Sequence, residues 1–424
     1  LGSTQNGVQA NALAFANQKG EKIKLNIDLE KDTTLNLFSA TLISNYLINH
    51  LGEIDSAFIS KAIKLGERKS NSGFSESILF ASALALYADG QVSRAFQQLE
   101  KVIFYSSNQG KYNNILALWA MEQGEPKVAI PYLSFSMNQN YALSINSMAI
   151  ATAEAGNINP SIVLWDSLKR TGDSTQAALS NSIIRVLTST PAMVNKMNDA
   201  DKYAYCRYRI QSSDTAEFTR TINSIQNEDY KAKAILDFSR KLYAQDEVPS
   251  AIKIFTKLKN LKFSDPRTNE DIHYFQLLIL AQLGDLNTLS QQINKTDFAG
   301  WRKNEKLYYS SLIALASGDT ATVTKNFTEL SDVNFFFDDA IVASSAYFKT
   351  HSKEKHRAYT ILVNALQRHP NSVKITKAYC LESAQLGFDD FTQTALDRLK
   401  ELLPEKKYSQ FLAKNSAILN AHSN

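Results

Sequence analysis

A helix, a tight turn and a second helix return every thirty to forty residues along this chain, and that period constrains the fold more than any composition does. The stretch ALYADGQVSRAFQQLEKVIF (85–104) closes one apolar-striped helix, turns at Ala88-Asp89-Gly90 and opens another. LWAMEQGEPKVAIPYLSFSM (118–137) repeats the arrangement, with Gly124 placed 34 positions after Gly90. The small or apolar residue that opens each second helix falls at Ala57, Ala95, Ala129, Ser161, Ala216, Ala251, Leu289, Val323, Ala358 and Ala395. The gaps between them are 38, 34, 32, 55, 35, 38, 34, 35 and 37. One helix pair of this size cannot bury its own apolar face, so neighbouring units must cover it.

Each unit follows the same local logic. First helices carry apolar residues at i, i+3, i+4 and i+7, as in DIHYFQLLILAQLGD (271–285), the spacing that builds one buried face. Gly52, Gly90, Gly124, Gly156, Gly284 and Gly318 stand where the first helix must end in a left-handed residue, which glycine adopts without a Cβ clash. Small residues at the crossing let the two helices approach.

In these residues the chain resembles the tetratricopeptide repeat (TPR) family. AYTILVNALQRHP (358–370) sets Ala358, Leu362, Ala365 and Pro370 at the family's second-helix spacing. Ala95 with Leu99 and Val102, Ala251 with Phe255 and Leu258, and Val323 with Phe327 and Leu330 repeat that pattern. Ala83, Ala117, Ala149 and Ala346 take the family's small-residue place in the first helices. The resemblance spans roughly 37–403 and is closer in period than in motif. It implies an all-α, right-handed α-solenoid of about ten or eleven TPR-like repeats, with a short extended N-terminal segment.

The departures divide the chain. The gap of 55 is too long for one repeat and too short for two, and AALSNSIIRVLTSTPAMVNKM (177–197) reads as a helix, a break and a short second helix. The expected organisation is an N-terminal extension (1–36), repeats over 37–175, an irregular hinge pair at 176–212, repeats over 213–403, and a capping helix and tail at 404–424. EKIKLNIDLE (21–30) alternates apolar and polar residues with period two, a strand signal in an otherwise helical chain. Leu1-Gly2-Ser3 resembles the scar of a cleaved tag, so an upstream signal, anchor or domain is an open expectation.

Composition excludes more than it selects. Lys plus Arg (46) nearly balance Asp plus Glu (42) without basic clusters, so no electrostatic footprint for nucleic acid stands out. No run of 18 apolar residues occurs. The charged share of 21% is low beside the roughly 25% of typical soluble domains, which leans toward a periplasmic or cell-envelope setting. Cys206 and Cys380 sit in apolar helical patterns and read as buried thiols.

No phosphate-cradling glycine loop, HExxH or GxSxG is present, and the histidines read as solvated turn residues, not metal ligands. The acidic pairs Asp338/Asp339 and Asp389/Asp390 stand at helix starts, where they suit the helix dipole. Neither an enzyme, a metal nor a cofactor is expected.

The expected function is a protein-interaction scaffold whose concave groove, lined by the first helices, takes a peptide or protein segment. Alternatives are a peptide-responsive regulator and an accessory region of a larger envelope or secretion assembly. Candidate contact residues are Phe80, Tyr87, Asn114, Asn146, Arg240, Tyr243, Tyr274, Tyr308 and Tyr347. Tyrosine combines a flat apolar ring with a hydroxyl at low entropic cost, and the paired asparagines suit a peptide backbone. The family's basic clamp for a terminal carboxylate is not filled here. In NFFFDDA (334–340) three successive phenylalanines cannot share one helix face, so one is expected to protrude or to be covered by the next repeat.

Overall fold

The computed structural model describes residues 37–67, 73–354 and 356–419. The strand expected at 21–30, the rest of the 1–36 extension and the tag-like start lie outside the described residues. Within them the chain is an all-α solenoid of TPR-like helix pairs with no strand.

In chain order the pairs are α1 (Leu37–Asn49) with α2 (Ser56–Glu67), α3 (Gly73–Ala88) with α4 (Val92–Tyr105), α5 (Gln109–Glu122) with α6 (Pro126–Asn138), and α7 (Ser144–Glu154) with α8 (Ile158–Thr171). Next come α9 (Ser174–Thr188) with α10 (Pro191–Val194), α11 (Asp199–Tyr208) with α12 (Thr215–Ser224), and α13 (Glu228–Ala244) with α14 (Val248–Phe255). Then follow α15 (Pro266–Leu283) with α16 (Leu286–Ile293), α17 (Lys303–Ser317) with α18 (Thr320–Val333), α19 (Asp338–His351) with α20 (Arg357–Arg368), and α21 (Val373–Gln385) with α22 (Asp389–Leu402). A single helix, α23 (Glu405–Leu419), closes the series. The long interval of the sequence is therefore an abbreviated pair, in which α10 has only four residues.

The turns behave as the sequence requires. All six turn glycines have φ between 70° and 88°. Asp246 (φ 59°) and Asn140 (φ 55°) take comparable left-handed places, as short polar side chains can. Eight of the ten second-helix openers are buried, Ala95, Ala129 and Ala251 completely.

Three small-residue assignments are corrected. Ala57 and Ala216 are exposed, and so is Ala346. In α12 and the residue that ends it the buried apolar series is Phe218, Ile222 and Ile225, two residues later than expected, because the Phe218 ring lies flat on Phe238 with centroids 3.9 Å apart. That crossing is filled by stacked rings, not closed by a small residue. In α2 the buried positions start at Ile59. In α19 Ser344 and Ser345 are buried in place of Ala346, and Ser345 Oγ donates to Ala358 O at 3.0 Å. Ser161 Oγ makes the same kind of bond to Ala149 O at 2.7 Å, so a hydroxyl can close a helix crossing by satisfying a carbonyl.

The chain divides into two compact units, one of residues up to 116 together with 293–335, the other of 117–292 together with 336 onward. In the first unit, helix turns meet the start of α17. Lys303 Nζ reaches Asp89 Oδ1 at 2.7 Å and Gly52 O at 3.3 Å, and Asn304 Nδ2 donates to Gly90 O at 2.8 Å. Phe335 packs edge-on to Phe96, and its N–H donates to Ser93 Oγ.

Gly90 is doubly constrained there. Its φ is +85°, and a Cβ would come 3.0 Å from Gly300 O. Gly124 shares the backbone (φ +84°), but a Cβ there meets nothing within 4 Å. Gly124→Ala should therefore cost only the left-handed penalty of about 1 kcal/mol, and Gly90→Ala about 2 kcal/mol or more. Amide exchange at Lys303 and Asn304 reads the difference; equal effects would show that the approach to Gly300 is slack.

Candidate functional site

None of the nine sequence-chosen contact residues is exposed. Asn114, Tyr243, Tyr274, Tyr308 and Tyr347 are buried, whereas Phe80, Tyr87, Asn146 and Arg240 are half-buried. Tyr274 and Tyr308, 34 positions apart, have nearly the same exposure, 5% and 4%, as equivalent sites in a repeat should. Tyr347 stacks on His351 with centroids 4.3 Å apart. Phe80 packs against Tyr112, whose hydroxyl donates to Glu76 at 2.8 Å. The buried tyrosines are thus largely taken up by the chain's own packing.

In the second unit, the first helices α7, α11, α13 and α15 carry a polar and aromatic ladder. Arg207 on α11 donates from Nε to Glu154 Oε1 on α7 at 2.9 Å. Tyr203 Oη donates to Asp237 Oδ2 on α13 at 2.9 Å, and the Tyr203 ring stacks on Tyr230. Lys241 Nζ donates to the carbonyls of Arg207 and Ile210, satisfying the end of α11. Arg240 Nη2 pairs with Asp271 Oδ1 on α15 at 3.2 Å. The partners 203/237 and 207/241 are each 34 residues apart, so the repeat period reappears as side-chain bonds between neighbouring units. Burial, followed by the Asp237 charge, pushes the Tyr203 hydroxyl up, and burial pulls Lys241 down. Yet the Arg207 side chain keeps 40% of its surface and Arg240 38%, so the ladder is recessed but reachable from solvent. Of the residues chosen from sequence, Arg240 lies on it.

A second polar group in the same unit went unread in the sequence. His369 is almost fully buried between Glu125 Oε2 at 2.8 Å and Asp338 Oδ1 at 3.1 Å, with Phe336 packed edge-on. Ser372 Oγ donates to Asp338 Oδ2 at 2.6 Å. Asp339 Oδ1 holds Lys374 Nζ at 2.8 Å and Gln282 Nε2 at 3.1 Å, and Lys374 Nζ sits 3.4 Å from the centroid of the Tyr243 ring. Lys377 with Asp246 (2.7 Å) and Lys407 with Glu247 (3.4 Å) extend the contact.

The charges respond accordingly. Burial would lower His369, but Glu125 and Asp338 lift it to about 10. Burial pushes Asp338 up, but His369, Ser372 and Lys374 together hold it below the usual carboxylate range. Asp339 stays raised by burial despite Lys374.

These distances correct one reading and extend another. His369 is not a solvated turn residue, and the acidic pair at 338–339 stands in the first turn of α19 as expected but also holds distant cations. Phe335 and Phe336 are buried and Phe337 is half-buried, so none of the three protrudes. Cys206 and Cys380 are buried free thiols, pushed by burial to about 12 and about 11. No group of three metal-ligating side chains occurs among the described residues, and no described helix is long and apolar enough to cross a membrane.

Tandem helix pairs joined by side-chain ladders define a TPR-like helical-repeat protein. No family model matches the chain, and no curated protein matches it. Among the solved structures similar to it are the following three. The P58(IPK) TPR domain shares 15% identity over 86% of this chain and 98% of that one, with a TM-score of 0.23. The APC/C hetero-tetramer Cut9-Hcn1 shares 12% over 89% and 84%, with a TM-score of 0.33. Naa15/Naa10 bound to HypK-THB shares 11% over 90% and 67%, with a TM-score of 0.22. Likeness this distant carries no functional argument, and the chain's own geometry must supply it.

Proposed function

We propose that this chain is a non-catalytic protein-interaction scaffold that receives a peptide or protein segment along the first helices of its second unit. The supporting observation is the ladder of Glu154, Arg207, Tyr203, Asp237 and Arg240. It is aromatic, rich in donors and half-open, and one of its rungs, Tyr203 with Asp237, joins residues one repeat period apart. Arginine and tyrosine in recessed positions are the side chains that concentrate binding energy at interfaces. A segment lying across the rungs exchanges partly solvent-screened ion pairs, which hold little net energy, for its own charged and polar groups. Asn146 on α7 and Arg240 on α13 remain the sequence-chosen residues best placed for such contact.

Cross-linking of the full chain to a captured partner should place the links on α7, α11, α13 and α15. Arg240→Glu should weaken the complex at least tenfold, about 1.4 kcal/mol, with the melting curve unchanged. Links confined to other helices, or unaltered affinity in Arg240→Glu, would overturn the assignment. A ligand-responsive form of the same scaffold is favoured by the abbreviated α9–α10 pair, where the regular spacing of rungs is interrupted.

A further inference from the structure

A cleft of about 420 Å³ opens in the first unit between the second helices α2 and α4. Its floor includes Ile63 and the buried Leu86, and its rim carries Lys64, Arg94 and Lys101 against one carboxylate, Glu67. In a chain whose charges are otherwise nearly balanced, three cations facing one anion in one cleft is a local excess. Lys101 Nζ pairs with Glu67 at 3.0 Å, but both side chains are about half exposed, so water already screens the pair and an incoming anion can displace it at little cost.

Gln98 supplies the independent observation. It lines the same cleft and is only 4% exposed, and its Nε2 has no hydrogen-bond partner. A buried amide donor without an acceptor is destabilising, a penalty that an arriving oxygen would relieve.

An adjoining cleft of about 470 Å³ shares Ser60 and Arg94 and runs to Glu329 and Asp332 on α18. The groove therefore changes sign along its length, positive beside Lys64 and Lys101 and negative beside α18.

We propose that this cleft is a docking site for an acidic segment of a partner protein, which sets its carboxylates against Lys64, Arg94 and Lys101 and an oxygen on Gln98 Nε2. The proposal rests on the scaffold reading above and adds a second, charge-selective contact to it. Apolar floor, cationic rim and an unsatisfied internal donor match an acidic peptide bearing an apolar side chain. The negative end beside α18 disfavours a uniformly anionic polymer or surface laid along the whole groove.

Fluorescein-labelled hexaglutamate is the probe, titrated into the full chain by anisotropy at low salt. Saturable binding is expected, with hexalysine failing to compete. The double variant Lys64→Glu/Lys101→Glu, altered only at exposed side chains, should bind at least tenfold more weakly. Gln98→Leu should weaken binding about threefold to tenfold, the worth of one hydrogen bond. Because Gln98→Leu removes an unpartnered buried donor, the free variant should melt no lower than the wild type, which separates lost contact from lost folding. Absence of saturable binding, or unchanged affinity in the double variant, would overturn the proposal. So would a single-stranded oligonucleotide or phosphatidylserine vesicle that binds the cleft more tightly than hexaglutamate. The cross-links to α7, α11, α13 and α15 expected of the ladder do not depend on hexaglutamate binding, so failure at the cleft is distinguishable from failure of the ladder.

Discussion

Replacing His369 with leucine is expected to destabilise the second unit by about 3 kcal/mol, because it strands two carboxylates that are only partly reached by water, Glu125 and Asp338, without their shared cation. At 1.4 kcal/mol per decade, amide protection in α19–α21 should fall by about two orders of magnitude. The penalty belongs to the stranded charges, not to the missing imidazole. Adding Glu125→Gln to His369→Leu should therefore restore part of the loss, a non-additivity that a void alone would not give.

The same group sets a pH dependence. An unfolded histidine titrates near 6.5, and here it is held at about 10. Its contribution is fully present below pH 6.5 and is lost as pH rises toward 10. Protection in α21 should fall across that window in the wild type and stay flat in His369→Leu. The charged groups facing the cluster are Glu125, Asp338, Asp339 and Lys374. Of these, Asp338, held low, acts in the opposite sense and withdraws stability only under acid. A flat wild-type profile between pH 6.5 and 10 would show that the imidazole is not protonated between the two carboxylates.

What the sequence revealed and what it hid divide along one physical line. Properties that recur each repeat leave a periodic trace. The spacing of Ala95, Ala129 and Ala251 and the left-handed glycines from Gly52 to Gly318 could be read directly, because every unit solves the same local problem of turning and packing. Contacts that join distant units leave no such trace. Glu125 and His369 are 244 residues apart, and Asp246 and Lys377 are 131 apart. Each belongs to an ordinary-looking turn or helix end, so His369 reads as a turn histidine, and the first-turn position of Asp338, which the sequence does give, does not disclose its distant partner.

The candidate site was only partly legible for a related reason. Periodicity identified Tyr274 and Tyr308 as equivalent, and they are. It does not say which side of a first helix is left open once the next unit is in place. The rungs at Tyr203 and Arg207 lie on α11, inside the 55-residue interval where the period supplies no reference position. A search for opposite-charge or hydroxyl–carboxylate pairs at 34-residue separation would have found Tyr203 with Asp237.

At the corrected crossing of α12 and α13, Phe238→Ala should cost about 3–5 kcal/mol, the range for deleting a fully buried ring. Phe238 is 2% exposed and Phe218 is not exposed at all, and their planes lie within 4° at 3.9 Å. Ile222, Ile235 and Leu242 belong to the same buried cluster. The size of the effect follows from what holds the pair apart. Where alanine opens the second helix, backbones are already close and a lost side chain leaves little space. Here Phe218 remains as a strut after Phe238 is removed, so α12 cannot settle onto α13 and the void persists. Phe238→Leu retains most of the volume and should cost about 1.5 kcal/mol or less. The double variant with Phe218→Ala should fall short of the sum of the singles by roughly the 0.5–1.5 kcal/mol of the ring pair. Amide exchange in α12 and α13 measures all three, and a loss below about 1.5 kcal/mol for Phe238→Ala would mean that the helices do close, making the ring stack dispensable to the spacing of this unit.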